Sequence, residues 1–260
     1  MSSILVKDFS KAITERELWS TLAVIEIKRR YKGTKLGVLW RCLNVIIVGV
    51  CLGYFYSVIL KQEFSDYIPY LISGYVTWEL IQQMITDGCR IFTNNASQIK
   101  EVPLSYISYV FKHILKCIIN FSLGLISVIF VLLFFDRLPQ LNIVEFVFGV
   151  LVLIFAGFGV GVFLGVLVLL IKDMYELINN ILRLVFFITP ILWMPELAGE
   201  RAFLVHFNPL YYFVDIVRSP LLGEQINENT IYITFSIASA FLVFSAFLYT
   251  RYRSRIPFLV

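Results

Sequence analysis

An all-α integral membrane fold is predicted for this chain by three observations. Six long apolar stretches run through it, its Lys and Arg fall largely on one side of them, and its 260 residues are 59% hydrophobic but only 15% charged. Soluble domains carry roughly a quarter charged residues, so composition alone excludes that class. The stretches are approximately 36–60, 67–88, 111–135, 143–171, 177–194 and 231–250. Each approaches or exceeds the roughly 20 residues a helix needs to cross a hydrocarbon core. With a cytoplasmic N-terminus, 17 of the 22 basic residues fall on the cytoplasmic side, leaving Lys61, Arg137, Arg201 and Arg218 outside and Arg183 within a span. Such a bias orients a polytopic protein, so both termini are expected in the cytoplasm. No polar linker is long enough to separate a pair of membrane domains; a cytoplasmic segment, 1–35, leads into one transmembrane domain, 36–260.

The net charge of +4 is no nucleic-acid signal once mapped, because the excess sits beside span ends, where anionic headgroups attract it. A cleavable signal peptide is not expected, since Lys7, Asp8, Lys11, Glu15, Arg16 and Glu17 interrupt any early apolar core. Cys42, Cys51, Cys89 and Cys117 fall inside spans or near their cytoplasmic ends, without metal-ligand spacing. Plain apolar filling is expected of them, with neither a disulfide nor a metal site.

Residues 14–30 are too charged to span. Thr14 with Glu17 reads as a capping box, and Ile13 with Leu18 as its hydrophobic staple. Leu18, Leu22 and Ile25 recur at helical spacing with Trp19 beside them, which predicts an amphipathic helix along the cytoplasmic membrane surface or against a soluble partner. In the loop after the second stretch, Asn95 with Gln98 resembles a helix start, and Pro103 forces an end. Short loop helices of this kind commonly only connect. Gly157, Gly161 and Gly165, with Gly159 between, form a stripe along which two helices approach closely, within one subunit or across a dimer.

The run Ala202 to Leu222 is interrupted by Pro209, Asp215, Arg218 and Pro220. A seventh crossing there would carry Arg251, Arg253 and Arg255 outside, against the charge bias. A re-entrant outer hairpin over 195–223 is expected instead, and irregular backbone at membrane depth must be buried in protein or line a wet cavity. Glu79 and Arg183 fall at similar depth, roughly 13 Å from the cytoplasmic boundary at 1.5 Å per residue. A mutual ion pair would resolve two otherwise costly charges, with Asp87 or Glu176 as rival partners for Arg183. His113 and His206 stand apart from acidic or Cys companions and are expected to be structural.

Three stretches together resemble the membrane subunit of the ABC-type polysaccharide exporters, the family that moves O antigen, capsule and teichoic-acid chains. They are the basic entry from Lys28 to Trp40, the loop Ile99 to Leu104, and Phe187-Ile188-Thr189-Pro190-Ile191-Leu192-Trp193-Met194-Pro195 followed by Asn208-Pro209-Leu210-Tyr211-Tyr212 and Arg218. The chain departs from the family pattern at Glu26, where Asp is frequent, and at Asn44-Val45, where Asn-Pro is frequent. The resemblance implies a homodimer in a bacterial cytoplasmic (inner) membrane, docked on two copies of a separate ATPase. It implies as substrate a polysaccharide carried on undecaprenyl diphosphate, O antigen foremost. ATP and Mg belong to the partner and no cofactor to this chain, which has no G-x-x-x-x-G-K phosphate loop. Under the resemblance the 94–103 helix becomes a coupling helix, with Asn95, Gln98, Lys100 and Glu101 facing the ATPase, and 14–30 becomes an interface helix.

Aromatic residues make up 16% of the chain. Sugar rings can lie against aromatic faces while Tyr hydroxyls satisfy sugar hydroxyls. Tyr54, Tyr56, Phe186, Phe187, Trp193, Tyr211, Tyr212 and Phe213 are therefore candidates for the polymer route, although interface belts account for many such residues. Arg29, Arg30, Lys32, Lys35 and Arg41 crowd the mouth of the first span. They would attract a lipid diphosphate, and positive-inside anchoring explains the same cluster. Capsule or teichoic-acid export, extrusion of a small molecule or lipid, and a membrane-embedded enzyme on lipid-linked sugars are the other readings. The enzyme reading lacks paired acid or base groups at one membrane face.

Overall fold

Helices follow the apolar runs, and shorten or turn where Pro and charge interrupt them. The computed structural model describes residues 2–102 and 104–260, so Pro103, expected to end the loop helix, lies outside the described residues. Every regular element among the described residues is helical. The α-helices, in order and with short 3-10 turns between some of them, are α1 (Ser2–Thr14), α2 (Arg16–Tyr31), α3 (Leu39–Leu60), α4 (Phe64–Cys89), α5 (Ala96–Glu101), α6 (Tyr106–Phe134), α7 (Ile143–Leu170), α8 (Met174–Ile188), α9 (Pro209–Leu221), α10 (Glu228–Tyr252) and α11 (Ile256–Leu259).

Among the described residues, four helices are long and apolar enough to cross a membrane: α3, α6, α7 and the path Glu228–Leu259 that contains α10. The other two expected spans differ for identifiable reasons. α4 has 26 residues but includes Asp66, Glu79 and Asp87. The stretch 177–194 divides, because α8 ends at Ile188 after 15 residues and Pro190 and Pro195 follow. At 1.5 Å per residue that helix is about 22 Å long, short of a hydrocarbon core of about 30 Å. Short 3-10 segments then fill Pro195–Phe207, meeting at Gly199 with φ 56°. Asn208 caps α9 by accepting the Leu210 N–H, and Pro209 takes the first-turn position where its missing donor does no harm.

α4 is the central helix, packed against α3, α6, α7, α8 and α9. Tyr67, Leu71, Ile72, Val76, Trp78 and Met84 carry its burial. α7 packs along α10 and α9. With no hydrophobic drive between helices in lipid, close backbone approach matters most. A Cβ on Gly149 would stand 2.2 Å from the Ile216 carbonyl oxygen, so α7 and α9 meet backbone to backbone. The glycine stripe is an intrasubunit contact: added Cβ atoms on Gly157, Gly161 and Gly165 would meet Met84 of α4 and Ile91 and Phe92 just beyond it, while Gly159 faces α10.

The expected capping box at Thr14 does not form. Thr14 ends α1, its hydroxyl donates to the Lys11 carbonyl, and Glu15 occupies the N-cap of α2 without a side-chain cap bond. The reason is that Thr14 is itself the last residue of α1, and the break from helical geometry falls one residue later, at Glu15 (φ −84°, ψ 12°). α2 lays Ala23 and Ile27 inward and packs on α6, leaving Leu18 and Ile25 about half exposed (57% and 51%), an apolar surface still uncovered.

Candidate functional site

Charges are few in this bundle, so where they meet identifies the site. Arg41, at the start of α3, donates from Nη1 to Glu79 Oε1 at 3.0 Å, and its Nη2 lies 2.8 Å from Oε2. This corrects the expected partnership of Glu79 with Arg183. Arg183 is exposed on α8, whereas α3 and α4 are adjacent antiparallel helices that bring Arg41 and Glu79 to one level. The same pairing draws Arg41 out of the free basic cluster. Arg29, Arg30, Lys32 and Lys35 remain exposed.

Around the pair runs a groove along α4. One section, of about 280 Å³, is lined by Arg30, Arg41, Glu79, Gln82, Gln83, Thr86 and Asp87. The next, of about 320 Å³, shares Glu79 and Gln82 and adds Tyr75, Trp78, Leu182, Arg183, Phe186 and Phe187. Arg29 and Arg30 also border a third hollow of about 320 Å³ with Glu26, Lys116 and Asn120. Asn120 donates to Gln83 at 3.2 Å, while its own buried oxygen has no hydrogen-bond partner. The groove therefore passes from cationic and amide groups to aromatic ones. It can hold an extended chain with charged and polyhydroxylated parts.

The candidate aromatics divide. Tyr54 and Phe187 are exposed, at 67% and 65%, and Phe187 lines the groove. Phe186 also lines it, with its ring 5.5 Å from that of Trp78. Tyr56 is half-buried against the core. Trp193 donates from Nε1 to the Phe187 carbonyl at 3.2 Å, and Tyr211 is half-buried at the other end of the bundle. Tyr212 and Phe213 are corrections. Both are buried, Phe213 in the main core and Tyr212 donating to the His206 carbonyl, because α9 turns this face inward.

At the end bearing α1, α2 and α5, four elements are locked together. Lys112 of α6, only 2% exposed, donates to Glu26 Oε1 at 2.6 Å, to Gln98 Oε1 at 3.1 Å and to Asn95 Oδ1. Lys116 adds a second donor to Glu26 at 2.6 Å. Burial opposes ionisation of the Glu26 carboxyl, but the two lysines outweigh it and hold the group below the usual carboxylate range. Asn95 stands at the N-cap of α5 yet makes no cap bond, since its amide is committed to Lys112 and to the Ile91 carbonyl. Lys100 donates to the Val260 carbonyl at 2.9 Å, and Glu101 is exposed. Asp8 accepts from Tyr249 at 2.6 Å and from Arg253, pinning α1 to the end of α10. Glu15 accepts from the Ser105 backbone N–H and the Ser108 hydroxyl, fixing the start of α6. His113 is buried, 3.3 Å from the Met84 carbonyl, the structural role expected for it.

Sequence reasoning missed Lys112, Asp8 and Glu15. Lys112 carried a signal, since Ser108, Lys112, Lys116 and Asn120 recur every four residues along one face of an otherwise apolar helix; Asp8 and Glu15 carried none beyond their charge.

A family model described as ABC-2 type transporter matches residues 17–222. Two proteins of Klebsiella pneumoniae, each named O-antigen export system permease protein RfbA, are 25% and 23% identical to this chain; each alignment covers 84% of this chain and 86% of the relative. A Myxococcus xanthus protein of the same name is 22% identical, over 75% of this chain and 76% of its own length. With its several apolar helices, this chain is a multi-pass membrane protein and a member of the ABC-2 type transporter family.

Proposed function

We propose that this chain is the permease subunit of an ATP-driven exporter that carries lipid-linked polysaccharide, O antigen foremost, out across the bacterial cytoplasmic membrane. The observation that supports this reading best is the groove along α4. A groove lined by Arg30 of α2, Arg41 of α3, Glu79 and Gln82 of α4 and Arg183 of α8 is costly against lipid, and such surfaces turn toward protein or water. A second copy closed over it gives those groups a wet, protein-walled path. Arg29, Arg30, Lys32 and Lys35 then stand at the cytoplasmic mouth to attract the diphosphate, and Tyr54, Phe186 and Phe187 offer surfaces on which sugars slide.

In this reading both termini are cytoplasmic, α4 and α8 complete six crossings, and 195–223 is the re-entrant outer hairpin. ATP and Mg are handled by two copies of a separate ATPase that docks on α5 and α2. Lys112 supports that role, because it joins Asn95 and Gln98 to Glu26 and lets a push on α5 reach α2 and α6 together. The relatives named for O-antigen export favour that glycan; capsule and teichoic-acid chains share the same chemistry of lipid diphosphate and sugar.

Replacing Gln82 with Trp tests the path, since it fills the shared section of the groove. With assembly intact, surface polysaccharide should fall at least tenfold while lipid-linked polymer accumulates inside; undiminished surface polymer contradicts the path. Extrusion of a small lipid is a second reading, favoured by an apolar cavity of about 280 Å³ between Met84, Gly157, Leu182 and Phe213. Stimulation of the ATPase by glycan-free lipid, with no effect of glycan, would select it.

A further inference from the structure

At the end opposite α1 and α2, four chain reversals surround a polar cavity of about 510 Å³ that plays no role in the groove. That volume lies within the roughly 300–1,000 Å³ typical of small-molecule sites. Its floor is built and not incidental. Arg218, 4% exposed, donates to the Pro190 carbonyl at 2.6 Å, has its guanidinium 4.3 Å from the Tyr70 ring centre, and lies 3.6 Å from Asp215. Asp215 is held in turn by Ser219 at 3.1 Å and Thr230 at 3.2 Å. At the rim Arg137 pairs with Asp66.

Once those two cations are matched with their carboxylates, Glu196 and Glu224 remain as the excess charge of the lining. Burial raises the Glu224 carboxyl above its usual range, and Arg218 draws it back only partially. Tyr211, Gln62 and Gln140 complete a set of aromatic face, carboxylates and amides. Carboxylates accept strong hydrogen bonds from hydroxyls and ammonium groups, and an aromatic face takes the apolar side of a sugar ring.

We propose that this cavity is a saccharide-binding site at the exit side of each subunit, selective for neutral or amino-bearing sugars over acidic ones. The proposal rests on the polysaccharide-export reading. Glu196 and Glu224 accept from sugar hydroxyl or amino groups, Tyr211 supplies the stacking face, and Arg218 with Asp215 keeps the floor rigid. A uronic acid would bring a carboxylate against two unmatched carboxylates, and the site rejects it.

The test uses the full chain in lipid nanodiscs, with saturation-transfer NMR to read binding of two probes: the glucosamine disaccharide and the galacturonic acid disaccharide. The amino disaccharide should bind, and the acidic one should bind at least tenfold more weakly. The isosteric double variant Glu196→Gln with Glu224→Gln should lower amino-sugar affinity at least fivefold. Gln62→Leu, a rim change that leaves the floor intact, should weaken binding severalfold and serves if the double variant fails to fold. Equal binding of the two probes, or affinity unchanged in the variants, overturns the site. Surface polysaccharide in cells is read separately: a wild type that exports while the cavity binds no sugar defeats this site alone. A wild type that exports no polysaccharide defeats the reading beneath it.

Discussion

Lys112 Nζ and Glu26 Oε1 stand 2.6 Å apart, joining a lysine that is 2% exposed to a glutamate on the surface helix α2. The same ammonium reaches Asn95 and Gln98 beside and within α5. One buried cation therefore satisfies acceptors from three segments, and α5 cannot shift without disturbing α2.

Lys112→Met should consequently loosen α5 more than it unfolds the bundle. Breaking a buried ion pair costs about 3–5 kcal/mol, but Glu26 is 31% exposed and keeps Lys116. A loss of about 1–3 kcal/mol is expected on that basis. Hydrogen exchange over residues 93–102 should speed at least tenfold, with exchange in α7 unchanged. Equal rates over 93–102 would remove Lys112 from the connection.

Arg41 and Glu79 should behave as a reciprocal pair. Arg41→Glu or Glu79→Arg alone leaves like charges facing each other at a half-buried level and should reduce assembled protein severalfold. The double swap should restore most of it. Combining Glu79→Arg with Arg183→Glu should not, since Arg183 is exposed on α8. Detergent-extracted yield and size-exclusion profile provide the readout.

Gly149→Ala should be the harshest single change along α7. Its Cβ would meet the Ile216 backbone oxygen at 2.2 Å, and backbone cannot swing aside. Overpacking of this kind costs typically about 1–3 kcal/mol. Gly157→Ala should be milder, because the obstructing atom at 2.5 Å is the sulfur of the flexible Met84. Thermal unfolding of both variants in one detergent should rank them in that order.

The attachment of α1 should depend on acid only at low pH. Burial resists ionisation of Asp8, yet Arg253 and Tyr249 more than offset it and hold the carboxyl below its ordinary range. A depressed folded value means the contribution is present above the unfolded value of about 4, and is lost as pH falls through the folded one. Protease cleavage within residues 2–31 should therefore stay slow from pH 8 to 5 and accelerate below about pH 4. Asp8→Asn should give fast cleavage throughout, with the pH step removed.

Much of this arrangement is legible in the residues. α3, α6, α7 and α10 are nearly charge-free runs, and Pro190 with Pro195 foretells where α8 must stop. Asn142, Asn208 and Asn227 each precede a helix and cap it through a side-chain oxygen. The partner of Glu79 was less accessible, because depth from one boundary does not say which helices are neighbours. Hairpin register held the missing signal: helices joined by a turn as short as 61–63 must be adjacent, and Arg41 and Glu79 lie on either side of it with an offset of about 6 Å, which a long arginine side chain can span. Thr14 and Glu17 misled because a capping box needs a preceding break in the helix, and α1 supplies none. Tyr212 and Phe213 misled because type and position alone do not reveal that α9 is buried along that face.

The decisive measurement is transport by the purified pair in sealed proteoliposomes. This chain, co-reconstituted with its ATPase and supplied with polysaccharide on undecaprenyl diphosphate, should move polymer into a glycosidase-protected lumen only when ATP is hydrolysed, and Gln82→Trp should stop it. Protection without ATP, or ATP hydrolysis that never protects polymer, would contradict the account.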